Sequence, residues 1–309
     1  DYAKSVPLRG TGAGKIAVVY ADGDILMGKG VKGSIASDDF RSLLQKLRKD
    51  ESIQAVVFRV NSPGGSALAS DIIWREVMLA NKNKPVIVSM GDLAASGGYY
   101  ISTPASYIFA EPTTITGSIG VFGILPNFSP LATKIGLHSE QVKTNENSAE
   151  YSPFLPLDEK TKAVTQESVE QVYKTFVSHV AQGRKMTFAQ VDAIAQGRVW
   201  SGAEALKIGL VDQIGGMNSA LKTAAKLAKI SSYSTQNFPE FDKNFDEILE
   251  NLTLAKLKES FIKEEIGIEN YSLLHQIKKV QTQKVKGVLQ NEQGLRSISE
   301  GEDELVGEQ

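Results

Sequence analysis

Cysteine is absent from this chain, which excludes a thiol nucleophile, disulfide bonds and cysteine-ligated metal. Histidine is scarce: His138, His179 and His275 are the only three, and none has an adjacent carboxylate in sequence to orient it as a catalytic base. No apolar run approaches the roughly 20 residues that span a bilayer. The opening Asp1-Tyr2-Ala3-Lys4-Ser5 has neither Met nor a signal-peptide pattern, so the expectation is a piece of a longer protein. Charge of one sign is also lacking. With 34 basic and 36 acidic residues the net charge is -2, and without a basic run nothing points to a nucleic-acid partner. There is no Gly-Lys-Ser/Thr, and the glycine-rich turns at Gly64-Gly65 and Gly97-Gly98 match neither the Walker pattern nor G-x-G-x-x-G, which argues against phosphate binding there. Internal repeats are not evident.

What is there is an alternation of strands and helices. Residues 15–20, 54–60 and 85–90 are apolar throughout rather than at every second position, and helical patterns at 37–48 and 66–81 separate them. Strands of that kind belong to a parallel sheet covered on both faces, so the expected class is α/β. Short strands are expected at 106–110, 119–123 and 139–143, a helix at 128–135, and a loop from Thr144 to Pro156. Val164, Val169, Val172, Tyr173, Phe176 and Val180 predict one long amphipathic helix over 158–183. Helices at 187–196, 202–208 and 216–229 follow, with an extended piece at 209–212. The expected division is a main domain over 1–235 and a helical C-terminal extension over 236–309, disordered from Asn291 onward.

The most informative stretch is Gly91-Asp92-Leu93-Ala94-Ala95-Ser96-Gly97-Gly98-Tyr99-Tyr100, in which one hydroxyl sits among small residues where a buried strand gives way to a helix. At such a junction Ser96 Oγ lies near the carboxyl edge of the sheet, and the N–H groups of the first helical turn face the same space. A second glycine-rich turn, Asn61-Ser62-Pro63-Gly64-Gly65-Ser66, emerges from the preceding strand at the same edge. The Gly65 and Gly97 N–H groups can therefore converge on one carbonyl oxygen beside Ser96, as an oxyanion hole does. A serine also needs a base, and with the histidines poorly placed a desolvated lysine is the expected one. Read alone, each turn is equally a tightly packed strand-helix junction.

These motifs resemble the signal peptide peptidase A family, bacterial membrane-bound serine proteases with a Ser-Lys dyad. The likeness runs through Val60-Asn61-Ser62-Pro63-Gly64-Gly65, the Ser89 to Tyr99 segment, Thr116-Gly117-Ser118-Ile119-Gly120-Val121, Ala195-Gln196-Gly197-Arg198-Val199-Trp200-Ser201-Gly202 and Gly209-Leu210-Val211-Asp212. It implies a Clp/crotonase-like α/β fold with a parallel-sheet core, Ser96 as nucleophile, Gly65 and Gly97 as the oxyanion hole, and Ser118 as the hydroxyl that positions the lysine amine. The place where short members carry the lysine, ahead of Pro153, is held here by Ser148, and Lys143 is out of register. In long members an amino-terminal half supplies the lysine and a carboxyl-terminal half the serine, and this chain resembles the second half. The resemblance further implies peptide substrates such as signal-peptide remnants, a homotetramer, and no metal or other cofactor. It places the catalytic domain on the extracytoplasmic (periplasmic) face of the bacterial cytoplasmic membrane, anchored by a segment ahead of residue 1. Two other readings stand beside it: a catalytically silent peptide-binding or scaffold half, and a crotonase-type acyl-CoA enzyme in which Ser96 would have no part.

Overall fold

The computed structural model describes residues 14–31, 33–145, 148 and 151–239. The strands are β1 (Gly14–Asp22), β2 (Asp24–Leu26), β3 (Ser34–Ala36), β4 (Ile53–Ser62), β5 (Val86–Ala95), β6 (Tyr107–Ala110), β7 (Ile115–Gly117), β8 (Val199–Ser201), β9 (Gln213–Ile214) and β10 (Tyr233–Phe238). The helices are α1 (Ser37–Lys49), α2 (Ala67–Asn83), α3 (Gly97–Ser102), α4 (Ser129–Lys134), α5 (Glu159–Arg184), α6 (Phe188–Ile194), α7 (Gly202–Lys207) and α8 (Met217–Leu227).

The central sheet runs β10-β1-β4-β5-β6-β9, every neighbouring pair parallel. Because the strands are apolar at successive positions, each feeds two cores. Ala17, Val19, Val56, Phe58 and Val60 face one side, packed against α2, α3 and α5 through Ile73, Val77, Tyr99, Phe176 and Val177. Ile16, Val18, Ala55, Val57 and Ile87 face the other, closed by Ala220 and Ala224 of α8. Both faces are therefore dry, as the composition of the strands requires.

One strand is longer than its sequence suggests, and this places the site. β5 pairs with β6 at Ile87–Ser89, then with β7 at Leu93–Ala95, so it continues through Gly91 to Ala95 instead of ending at residue 90. Thr116 Oγ1 donates to the Ala94 carbonyl at 2.8 Å and Thr114 Oγ1 to that of Gly91 at 2.8 Å, fixing the extension. The helix starts only at Gly97.

Three expected pieces are absent. Residues 119–123 form no strand: pairing ends at β7, because Gly117 (φ 79°) and Ser118 (φ 47°) adopt successive left-handed conformations that turn the chain off the ladder. Residues 139–143 form none either, and Val142, 100 % exposed, has no sheet to enter. The stretch 209–212 is irregular, and the extended residues are those of β9 just beyond it. β10, unforeseen in a polar Tyr-Ser-Thr-Gln-Asn-Phe run, crosses residue 235. The expected helical extension and disordered tail lie, from residue 240 on, outside the described residues. Among the described residues no helix is long and apolar enough to cross a membrane.

Candidate active site

Ser96 is the single residue between β5 and α3, and it holds φ 52°, ψ -120°, a region that costs a non-glycine residue about 1–3 kcal/mol. Its backbone is pinned at both ends: its N–H donates to the Gly117 carbonyl at 2.9 Å, and its carbonyl accepts from Tyr100 N–H at 2.9 Å. The strained turn stands the side chain out of the junction, where it lines two adjoining cavities of about 720 Å³ and 250 Å³.

The turn between β4 and α2 packs backbone to backbone against that junction. Gly64 has φ 104°, and a Cβ there would lie 2.6 Å from Gly97 N and 2.9 Å from Ser96 Cβ. Gly65 (φ 150°) is bracketed by β2: Ile25 N–H donates to the Gly64 carbonyl at 2.8 Å, and Ser66 N–H to the Ile25 carbonyl at 2.9 Å. In a parallel bridge of this kind the intervening residue's own N–H points away from the bridging strand. The Gly65 N–H has no partner among the described residues. Neither has the Gly97 N–H, which begins α3 and so lacks an intrahelical acceptor. Two unpaired donors thus flank the Ser96 side chain, the arrangement that stabilises an oxyanion.

Ser118 lines the larger cavity with Ser96 and Gly65, held at its positive φ by an N–H bond of 2.7 Å to the Arg198 carbonyl. Among the described residues neither the Ser96 nor the Ser118 hydroxyl has a hydrogen-bond partner, and no lysine or histidine lines either cavity. Ser148 Oγ accepts from the N–H groups of Thr144 and Asn145 and donates to the Asn145 carbonyl, so it caps a local turn. Lys143 is exposed and interacts electrostatically with Asp158. His138 lines a separate cavity with Phe154, and His275 falls outside the described residues.

His179, which has no carboxylate beside it in sequence, finds one in the fold. Its Nε2 lies 3.2 Å from Asp71 Oδ1, and its ring stacks on Trp74 at 3.6 Å. The pair joins α5 to α2 across 108 positions, which no local reading of the sequence could show. It lines neither Ser96 cavity, but Tyr100, whose hydroxyl donates to the same Asp71 oxygen at 2.7 Å, lines the smaller one. Burial, and secondarily the Asp71 carboxylate, push the Tyr100 hydroxyl far above the ordinary tyrosine range, so it remains a donor. Tyr100→Phe should cost about 1.5–3 kcal/mol in urea unfolding, the worth of a hydrogen bond to a charged group. A change under about 0.5 kcal/mol would mean that Asp71 is satisfied without it. In the larger cavity Tyr173 donates to Asp192 Oδ1 at 2.5 Å, and burial, then that bond, push its hydroxyl up to about 12.

Among the described residues no three His, Cys, Asp or Glu side chains come together as metal ligands. The chemistry on display is that of a hydroxyl and two amides.

The model of peptidase family S49 matches residues 78–231, and that of Clp protease residues 13–113. A putative protease of Methanocaldococcus jannaschii is 37% identical over 227 residues, which cover 72% of this chain and 73% of that protein. The chain belongs to peptidase family S49. Its parallel sheet and the Clp protease match make the fold Clp/crotonase-like. Other relatives are longer. Protease 4 of Salmonella typhi is 42% identical over 254 residues, 82% of this chain but 41% of that protein. A putative signal peptide peptidase of Enterococcus faecium is 38% identical over 194 residues, covering 62% of this chain and 56% of that protein. This S49 chain thus spans about two fifths of the Salmonella protease.

The sequence pointed to the residues that stand at the junction, Ser96, Gly65, Gly97 and Ser118. It missed β2, because three residues, Asp24-Ile25-Leu26, carry no readable period. The signal that could have found it is glycine: Gly23 (φ 99°) leaves no room for a Cβ, which would lie 2.0 Å from the Gly33 carbonyl oxygen, so another segment of backbone must pack closely there.

Proposed function

We propose that this chain is the serine-bearing half of a Ser-Lys peptidase, with the lysine supplied by a half that precedes it. The observation that carries the reading is the pair of unpaired Gly65 and Gly97 N–H groups beside a strained, unpartnered Ser96. A neutral lysine amine, steadied by Ser118 Oγ, takes the Ser96 proton as Oγ attacks the peptide carbonyl. The oxyanion forms against Gly65 and Gly97, the amine product leaves with the lysine's proton, and water then releases the acyl-enzyme. Burial of the lysine among apolar groups would hold it neutral.

Two features support a base from outside the described residues: the absence of lysine from the cavity lining among them, and the greater length of Protease 4. Phe122, which lines the cavity and is 84 % exposed, and Ile124 two positions on, 78 % exposed, support a partner surface over this edge, whether the preceding half or further copies of a tetramer. The substrates on this reading are unfolded peptides, signal-peptide remnants among them, as the name of the Enterococcus faecium relative suggests. The site would stand on the outer face of a bacterial cytoplasmic membrane, tethered by a segment ahead of residue 1.

A fluorophosphonate probe should label Ser96 when the preceding half is present, and Ser96→Ala should abolish labelling. This chain by itself should label and hydrolyse weakly. Failure of both forms to label would favour the silent peptide-binding half, which the empty base position also supports. Robust turnover by this chain alone would place the base within it, with Lys143 the first residue to replace.

A further inference from the structure

Asp24 was not foreseen as a site residue, yet it lines the larger Ser96 cavity together with Pro63, Gly64 and Gly65. Its place is set by backbone. The bridge from Ile25 to Gly65 fixes β2 against the β4–α2 turn, and side chains alternate along a strand. Ile25 is fully buried, so Asp24 and Leu26 fall on the opposite, exposed side. Among the described residues lining either cavity, Asp24 is the one carboxylate, and no lysine, arginine or histidine accompanies it. Tyr173, the other ionisable side chain of the larger cavity, is committed to Asp192. No ion pair or hydrogen bond engages the Asp24 side chain among the described residues.

An unpaired negative charge at this position works against an oxyanion held by the Gly65 N–H next door. A cation brought by the substrate would cancel that opposition and gain an ion pair. We propose that Asp24 selects peptides carrying a lysine or arginine side chain within a few residues of the cleaved bond. The inference rests on the peptidase reading and adds a substrate class to it. Since Asp24 is exposed, the preference should be moderate, roughly three- to tenfold for Lys over Glu, and should shrink as salt rises. Part of it should appear in kcat, because the charge also bears on the developing oxyanion.

The test is kcat/KM on internally quenched peptides that differ only by Lys, Gln or Glu at each position flanking the scissile bond, using the protein with its preceding half. One position should rank Lys above Gln above Glu. Asp24→Asn should flatten that ranking and Asp24→Lys should reverse it, with other positions unmoved. A charge-blind wild type would overturn the proposal. So would an Asp24→Asn variant that loses activity equally on every peptide, since the carboxylate would then serve the base or the fold. If no peptide is cleaved and Ser96 takes no probe, the peptidase reading itself fails and the selectivity goes with it.

Discussion

Gly64→Ala is expected to lower peptide hydrolysis by roughly 10²–10³-fold, the loss seen when one oxyanion donor is removed, while leaving a folded chain. The reason is spatial. A methyl at residue 64 would stand 2.6 Å from Gly97 N, 2.9 Å from Ser96 Cβ and 3.1 Å from the Ala95 carbonyl oxygen. All three are fixed atoms of the β5–α3 junction, so the turns must separate, and with them the two N–H groups and the nucleophile. The φ of 104° adds backbone strain that no side chain relieves. Gly28→Ala is the control: it shares a positive φ (79°), but a Cβ there meets nothing within 4 Å. It should cost about 1–2 kcal/mol of backbone strain and leave kcat/KM near wild type. Steady-state kinetics and the rate of fluorophosphonate labelling, each beside a thermal melt, decide the matter. A Gly64→Ala variant with wild-type kinetics would show that the two turns do not act as one site.

The largest loss of stability is expected at Arg184. Its guanidinium reaches from the last turn of α5 to Asp212 in a two-pronged contact of 2.9 Å and 2.7 Å, while Nε donates to the Gly209 carbonyl at 2.8 Å. Asp212 Oδ2 also accepts the Ile108 N–H at 2.8 Å, so the pair clamps α5 to β6 and the β9 approach. The arginine side chain is only 9 % exposed. Burial opposes its charge, but the Asp212 bonds together with attraction to Tyr99, Asp212 and Tyr107 outweigh this and hold its pKa above the ordinary value. Removing one member of such a pair strands the other: Arg184→Ala should cost about 3–5 kcal/mol, read as a fall of roughly 10 °C in Tm for a domain of this size. Arg184→Lys should recover only part, because an ammonium cannot make the planar fork. A loss below about 1 kcal/mol would mean that water replaces the clamp. Since α5 also supplies Val172, Tyr173 and Phe176 to the cavity walls, the variant should bind peptides less well at temperatures where it is still folded.

The central βαβαβ unit was legible because its strands are apolar at consecutive positions and glycine turns bound its helices. The Ser96 and Gly64-Gly65 turns were legible for the same reason: small residues cluster where two backbones must touch. What escaped was decided by partners distant in sequence. β5 runs on to Ala95 because Thr114 and Thr116 hold it, and nothing within Gly91–Ala95 announces that. Asp24 reaches the cavity because Ile25 pairs with Gly65, and His179 finds Asp71 on another helix. β10 is polar because it lies at the rim of the sheet, where only β1 is its neighbour. The missing strand at 119–123 was a misplacement by a few residues, since the ladder closes at Gly117 and the chain is then turned away.

β10 has a geometric consequence for handling the protein. It runs parallel to β1, as β1 does to β4 and β4 to β5, so Phe238 comes off the sheet at the end where Ser96 stands. The register sets Phe238 beside Val19, Phe58 and Val88, so it lies three strand spacings, about 14 Å, across the sheet and roughly 26 Å along it from Ser96. A dye or cross-linker attached at residue 239 would therefore need a tether of roughly 30 Å to reach the peptide cleft, whereas one at residue 14 starts from the opposite end of the same strands. The site can thus be approached from downstream without altering any residue that lines it.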